Sequence, residues 1–259
     1  MANVALVTGG ASGMGLAVCR LLANDGWHVA IADRAQDGAR VAAELKGMFI
    51  EVEVSDYQSV FNAFSAVWER YGRLNFVFAN AGVMEGSSFY SLSPDNAGGL
   101  DSTININLTG VIFTSHVALH FFRKGQTSGP KSLIMTSSAG GLYPVRSAPI
   151  YAASKHGILG FMRSIASRLY TQDGISVNCI NPGATQTGII SPEGWDAFPP
   201  DCISTPDQIA DVVKSVIEDG SRYGQAVEIV VDRTFLREPP PFLDERVERL
   251  TLCTDSLLE

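Results

Sequence analysis

Short, almost wholly apolar runs recur along this chain, each separated from the next by room for one amphipathic stretch. They are VALV from residue 4, VAIAD ending at Asp33, MFIEVEV at 48–54, LNFVFAN ending at Asn80, SLIMTSS ending at Ser138, ISVNCINP ending at Pro182 and AVEIVV at 226–231. A brief apolar run without alternation fits a strand buried on both faces. Seven such strands are expected. Between them lie stretches with helical spacing of apolar residues, such as LAVCRLLAND, closed by Gly26, and SVFNAFSAVWERYG, closed by Gly72. The alternation predicts an α/β architecture: one domain with a doubly wound, seven-stranded parallel sheet, right-handed crossovers and helices on both faces. Ligands of such sheets bind beyond the carboxyl ends of the strands. Gly9 to Gly15, Asp33, Asn80, Ser138 and Pro182 each follow a strand, a placement that core packing alone does not demand.

Composition narrows the classes of function. A length of 259 residues suits one large α/β domain, and no Pro/Gly/Ser linker divides it. Residues 1–235 are expected to form the body and 236–259 a tail. The net charge of −8, without a Lys/Arg cluster, opposes a phosphate backbone, so no nucleic-acid partner is expected. Cys19, Cys179, Cys202 and Cys253 match no CxxC spacing, which predicts neither a metal site nor a disulfide framework. They read as small buried hydrophobes in a reducing compartment. The first apolar run is short and lacks a basic leader, so neither signal peptide nor membrane span is expected, and the expected location is the cytosol.

The chemistry centres on Tyr151 and Lys155 in the run YAASKHGILGF, with Ser138 thirteen positions before the tyrosine. Helical residues at i and i+4 share a face about 6 Å apart along the axis. Phenol and ammonium can therefore point into one cleft. A free tyrosine, with a pKa near ~10, is a poor base at neutral pH, and a nearby cation can lower that value by roughly 1–3 units. The phenol then becomes usable as a general base, and the Ser138 hydroxyl could hold a substrate oxygen on which charge develops. At the other end of the chain Gly9, Gly13 and Gly15, in TGGASGMG with Ser12 and Met14, stand where a strand turns into a helix, so the backbone can approach a diphosphate. Asp33 lies eighteen residues after Gly15. Its carboxylate either accepts bonds from the adenosine ribose hydroxyls, repelling a 2′-phosphate, or caps a helix. The first alternative favours NAD over NADP, although Arg34 directly beside it blurs the contrast.

Six motifs in order carry a resemblance: TGGASGMG, Asn80-Ala81-Gly82, Asn107 in NINLTG, Ser138, the Tyr151/Lys155 pair, and Pro182, Gly183 and Thr187. From Val4 to about Val231 the chain resembles the short-chain dehydrogenase/reductase family, in its shorter Rossmann form. The resemblance implies that Tyr151 exchanges the proton, that Lys155 lowers its pKa and binds the nicotinamide ribose, and that Ser138 positions the reacting oxygen. It further implies that Asn107 holds a water linking Lys155 to solvent and that the Pro182–Thr187 loop, Thr185 included, meets the nicotinamide carboxamide. Dimers or tetramers built through the helices around 105–122 and 150–170 are implied as well. Within the family, YAASKHGILGFMRS and IEDGSRYGQAVEIVVDRTF are most similar to the NAD-dependent 15-hydroxyprostaglandin dehydrogenase-like group. Two departures count. Glu53 before Val54 replaces the usual Asp-Val after the third strand, which remodels the expected adenine contact. Ala148 stands where the prostaglandin enzymes have a glutamine, so prostaglandin itself is not the expected substrate.

On the substrate side, residues 188–203 hold Gly, Pro and aromatics between a strand and a helix, the place of a lid. Leu142, Tyr143, Ala148, Ile189, Trp195 and Phe198 are the candidate contacts of an apolar, roomy pocket. Trp195 and Phe198 read equally well as anchors of the loop to the body. Arg146 is either a partner for a substrate carboxylate or an exposed turn residue. In the tail, Leu243, Val247 and Leu250 fall on one helical face that docks on the body or on a second subunit. The expected activity is hydride transfer between NAD and a secondary alcohol or ketone on a medium-sized apolar molecule. Three alternatives stay open, an NADPH-dependent ketoreductase of a biosynthetic pathway, a nucleotide-sensing regulator without turnover and a non-redox cyclase on the same scaffold. Retention of Tyr151, Lys155, Ser138 and Asn107 argues against the regulator.

Overall fold

In the computed structural model the chain runs β1 (Val4–Thr8), α1 (Gly13–Asn24), β2 (His28–Asp33), α2 (Gly38–Glu44), β3 (Met48–Glu51), α3 (Tyr57–Tyr71) and β4 (Phe76–Ala79). It continues through α4 (Leu100–Ile104), a π turn (Asn105–Thr109), α5 (Gly110–Lys124), β5 (Ser132–Thr136), α6 (Pro149–Asp173) and β6 (Ser176–Pro182). The last elements are α7 (Pro206–Glu218), β7 (Ala226–Val230), β8 (Arg233–Leu236) and α8 (Glu245–Leu257). The structure describes residues 2–86, 88–91, 100–125, 129 and 131–257. The last two residues of the expected tail lie outside them.

The strands form one sheet in the order β3-β2-β1-β4-β5-β6-β7-β8. The seven expected strands are there and run parallel; β8 pairs antiparallel to β7. The expectation of seven strands is thus corrected to eight, and a boundary at residue 235 would cut β8. All four residues of RTFL are exposed, so no buried apolar run marks the strand. The reversal into it passes through Val231 at φ 54°, whose N–H donates to Ser204 Oγ at 3.0 Å. A second correction concerns β3, which ends at Glu51 rather than residue 54. Val52 N still reaches Asp33 O, but Glu53 N turns to Ser59 Oγ at 3.0 Å and leaves the ladder. Asp56 then caps α3 by accepting from Gln58 N and Ser59 N.

Helices α3, α5 and α6 cover one face around Phe64, Phe122, Leu133 and Met162; α1, α2 and α7 cover the other around Leu22, Ile31, Val41 and Val213. Each such side chain contributes about 1.5–3 kcal/mol by leaving water. Cys19 and Cys179 belong to this core, whereas Cys202 and Cys253 are exposed, against expectation, because they lie on the 188–203 segment and on α8. No helix of the described residues is long and apolar enough to cross a membrane. From β1 the chain winds outward to β2 and β3, then returns to β4 on β1's other side and winds away to β8. That reversal opens a crevice beyond the carboxyl ends of β1 and β4.

Candidate active site

The loop between β1 and α1 closes only because its residues are small. Gly9 and Gly13 have φ of 66° and 52°, and a Cβ on Gly15 would stand 2.2 Å from the Gly9 carbonyl oxygen. The turn leaves unpaired N–H groups at the start of α1, where an anion is favoured. Asn80 locks this loop to its neighbours. Its N–H donates to Thr8 Oγ1 (2.9 Å), its Nδ2 to Thr8 O (3.1 Å), and its Oδ1 accepts from Thr136 Oγ1 (3.1 Å), so three strands meet at one side chain. Asp33 accepts from Ala11 N (3.0 Å) and Ala35 N (2.9 Å). The bond to Ala35 is an Asx turn rather than a helix cap, because α2 begins only at Gly38. Both oxygens keep acceptor capacity. Arg34 is largely exposed and lies 3.9 Å from Glu53, which also accepts from Ser55.

The π turn delivers Asn107, fully buried, to the loop after β4. Its Oδ1 accepts from Val83 N (2.8 Å) while Nδ2 donates to Val83 O (2.9 Å) and Ser154 Oγ (3.2 Å). Its side chain is thereby committed to bracing that loop against α6. Lys155 is buried; its Nζ donates to Thr136 O at 2.9 Å and lies 5.6 Å from the Tyr151 ring centroid. Burial lowers its pKa to about 8. A Cβ on Gly82 would stand 3.4 Å from that Nζ and 3.2 Å from Asn107 Oδ1, so only a small residue suits the approach. Ser138 hydrogen-bonds the Tyr151 phenol, accepts from Gly140 N (3.0 Å), and is held through its carbonyl by Asn181 Nδ2 (3.0 Å). Burial pushes the phenol above its ordinary range, against the opposing Ser138 bond. Any lowering of that value by Lys155, which the resemblance implies, does not outweigh burial here: the ammonium sits over the ring and is bound to Thr136 O.

These groups open onto a cavity of about 810 Å³. Its wall includes Gly9, Ser12, Gly13, Met14, Asp33, Arg34, Glu53 and Val54, then Asn80, Ala81 and Gly82, and Pro182, Gly183, Thr185 and Thr187. Ser138, Tyr151 and Lys155 line the cavity as well, as do Ile189, Trp195 and Phe198. Gly15 and Asn107 stand behind the wall.

Comparison with known proteins gives the family. The family model described as short chain dehydrogenase matches residues 3–195. The chain belongs to the short-chain dehydrogenase family. It is 36% identical to the short-chain dehydrogenase/reductase prx7 of Penicillium rubens over 93% of this chain and 96% of that protein. It is 34% identical to human 15-hydroxyprostaglandin dehydrogenase [NAD(+)], over 82% and 79% respectively. The crystal structure of levodione reductase superposes with a TM-score of 0.77 at 26% identity, covering 88% of this chain and 96% of that one. As a short-chain dehydrogenase the protein is an oxidoreductase acting on CH–OH groups, with a nicotinamide-dinucleotide-binding fold.

Three expected substrate contacts of this dehydrogenase lie away from the cavity wall. Leu142 packs on the core, and Ala148 is buried at the start of α6. The Tyr143 phenol donates to Glu228 at 3.3 Å, beneath the Arg237 guanidinium that also pairs with Glu228 at 3.2 Å. A buried carboxylate attracts both partners, and no local sequence signal marks it. Arg146 is exposed. Conversely Met84, Glu85 and Ile190 line the cavity unforeseen. For Glu85 the signal available was indirect: the helix after residue 148 opens on Ala-Pro, without the Ser, Thr, Asp or Asn that usually caps.

Proposed function

We propose that this dehydrogenase transfers hydride between NAD and a secondary alcohol or ketone on a medium-sized apolar substrate, such as a steroid, terpenoid, polyketide or lipid-like molecule. The observation that carries the reading is the Ser138–Tyr151–Lys155 cluster in a cavity that Ile189, Ile190, Trp195 and Phe198 also line. The glycine cradle and the free acceptor capacity of Asp33 fit a dinucleotide with a bare ribose; NAD, when bound, supplies the hydride acceptor. Ser138 holds the substrate oxygen, and Tyr151 takes the hydroxyl proton during oxidation and returns it during reduction. Lys155, an ammonium at neutral pH, stabilises the phenolate that results. A 2′-phosphate would face the carboxylates of Asp33 and Glu53. The exposed Arg34 is the single feature that favours the alternative, an NADPH-dependent ketoreductase.

Residues 188–203 serve as the substrate lid in this reading, and the tail meets a second copy in a homodimer or homotetramer. Support comes from Phe242, Leu243 and Val247, which are exposed on the tail, Leu243 by 98%.

Tyr151→Phe tests the chemistry, since it keeps the ring and removes the proton carrier. Turnover should fall on the order of 10²–10⁴-fold with unchanged circular dichroism; a loss below tenfold overturns the assignment. Fluorescence titration should show NAD binding more tightly than NADP, with Asp33→Ala narrowing the gap. Tighter NADP binding would make Arg34 a phosphate ligand instead.

A further inference from the structure

We infer that Glu85 is a positioning residue, gripping the first turn of α6 and with it Tyr151 from the loop that follows β4. The inference rests on the acid–base reading of Tyr151. The first N–H groups of a helix have no intrahelical acceptor. Pro149 has no N–H, and Ala152 N already donates to Ala148 O at 3.0 Å. Ile150 and Tyr151 are the donors left, and both go to a single atom, Glu85 Oε2, at 2.8 and 2.9 Å. Ala148, at the position of a conventional cap, makes no side-chain bond. Glu85 thus replaces the cap from 65 residues away and brings an anion to the positive end of a 25-residue helix.

The consequence falls on the tyrosine rather than on the lysine. Helix ends fray, and Tyr151 lies in the first turn. Lys155 lies one turn deeper, with Nζ on Thr136 O and its carbonyl accepting from Ser137 Oγ (2.9 Å). Ser138 is pinned separately by Asn181. If the first turn opened, the phenol would leave Ser138 while the rest of the cluster stayed. Glu85 is itself secured, because Asn107 clamps Val83 of the same loop through both its N–H and its carbonyl. The loop on the dinucleotide side therefore sets the position of the proton-transfer group.

Glu85 Oε1 is buried and has no hydrogen-bond partner among the described residues, which makes glutamine the informative substitution. Its carbonyl oxygen can take both N–H groups while its amide nitrogen fills the place of the unpaired oxygen. Steady-state kinetics of Glu85→Leu, Glu85→Gln, Glu85→Asp and Tyr151→Phe, with NAD and the best secondary alcohol found, are the test. Glu85→Leu should lower kcat roughly ten- to a hundredfold, with KM and NAD affinity within about threefold, and Glu85→Gln should recover kcat to within about threefold. Hydrogen exchange should show the Ile150 and Tyr151 amides protected in the native protein and in Glu85→Gln, and fast in Glu85→Leu. A kcat for Glu85→Leu within threefold of native, or an equal loss in Glu85→Gln, overturns the inference. Should Glu85→Leu not fold, Glu85→Asp decides, because its shorter side chain withdraws from the amides: kcat should drop at least fivefold, and an unchanged value is a refutation. An active Tyr151→Phe would defeat the underlying reading instead, a result distinct from an inactive Tyr151→Phe beside an active Glu85→Leu.

Discussion

Burial of Lys155 sets its charge against the stability of the fold. With its pKa lowered to about 8 from the ordinary 10.5, the folded chain has lost a proton between those values that the unfolded chain still holds. Stability therefore rises with pH across this window, and the penalty is complete below about 8. At 1.36 kcal/mol per unit it comes to about 3 kcal/mol at neutral pH. Lys155→Met should remove it, less the cost of the Thr136 carbonyl left without its donor, about 1–3 kcal/mol. The clean signature is the slope: between pH 7.5 and 9.5 the native protein should gain on the variant in urea midpoint. Parallel midpoints would show that the ammonium is not desolvated. Tyr151, Lys155 and Ser138 were all legible in the sequence, since two share a helix face and the third ends a strand. Glu85 was not, for its partners are backbone amides that no residue type reveals.

Among the elements, the segment from Gly188 to Ile203 is where sequence reading left two choices. It consists of two short 3₁₀ turns, Pro192–Ala197 and Pro200–Cys202. Trp195 lines the cavity, and its indole N–H donates to Thr187 O at 3.3 Å. Phe198 packs on that ring with centroids 5.4 Å apart. The two substitutions should consequently differ. Phe198→Ala should lower kcat/KM by about ten- to a hundredfold, as expected for losing roughly 1.5–3 kcal/mol of apolar contact, and leave NAD affinity alone. Trp195→Ala should do the same and also weaken NAD, because Thr187 lies against Gly13 of the loop proposed to hold the dinucleotide. Substrate kinetics unaffected by Phe198→Ala would mark the ring as a loop anchor only. Helices α1 and α3 follow from periodicity and end signals. Strand β8 does not, because pairing with an edge requires no apolar run.

For the molecule as a whole, the exposed tail bears on assembly. Leu243→Glu combined with Val247→Glu should leave thermal stability nearly unchanged, since neither side chain is in the core, and shift the protein to a smaller species in light scattering. An unchanged mass would exclude the tail from the interface. The sequence by itself determined the architecture and the candidate residues: seven apolar parallel strands, the glycine turn at the first of them, an acidic residue ending the second, and phenol and ammonium one helical turn apart. These are short-range patterns, set by steric limits and by the helix and strand periods. Only the tertiary structure decided which side chains meet across the chain. Tyr143 turned from the pocket to Glu228 across 85 positions, and Glu85 capped α6 across 65. Such contacts depend on which surfaces the folded layers bring together and on the need of each buried polar group for a partner, and neither is written in the spacing of residues.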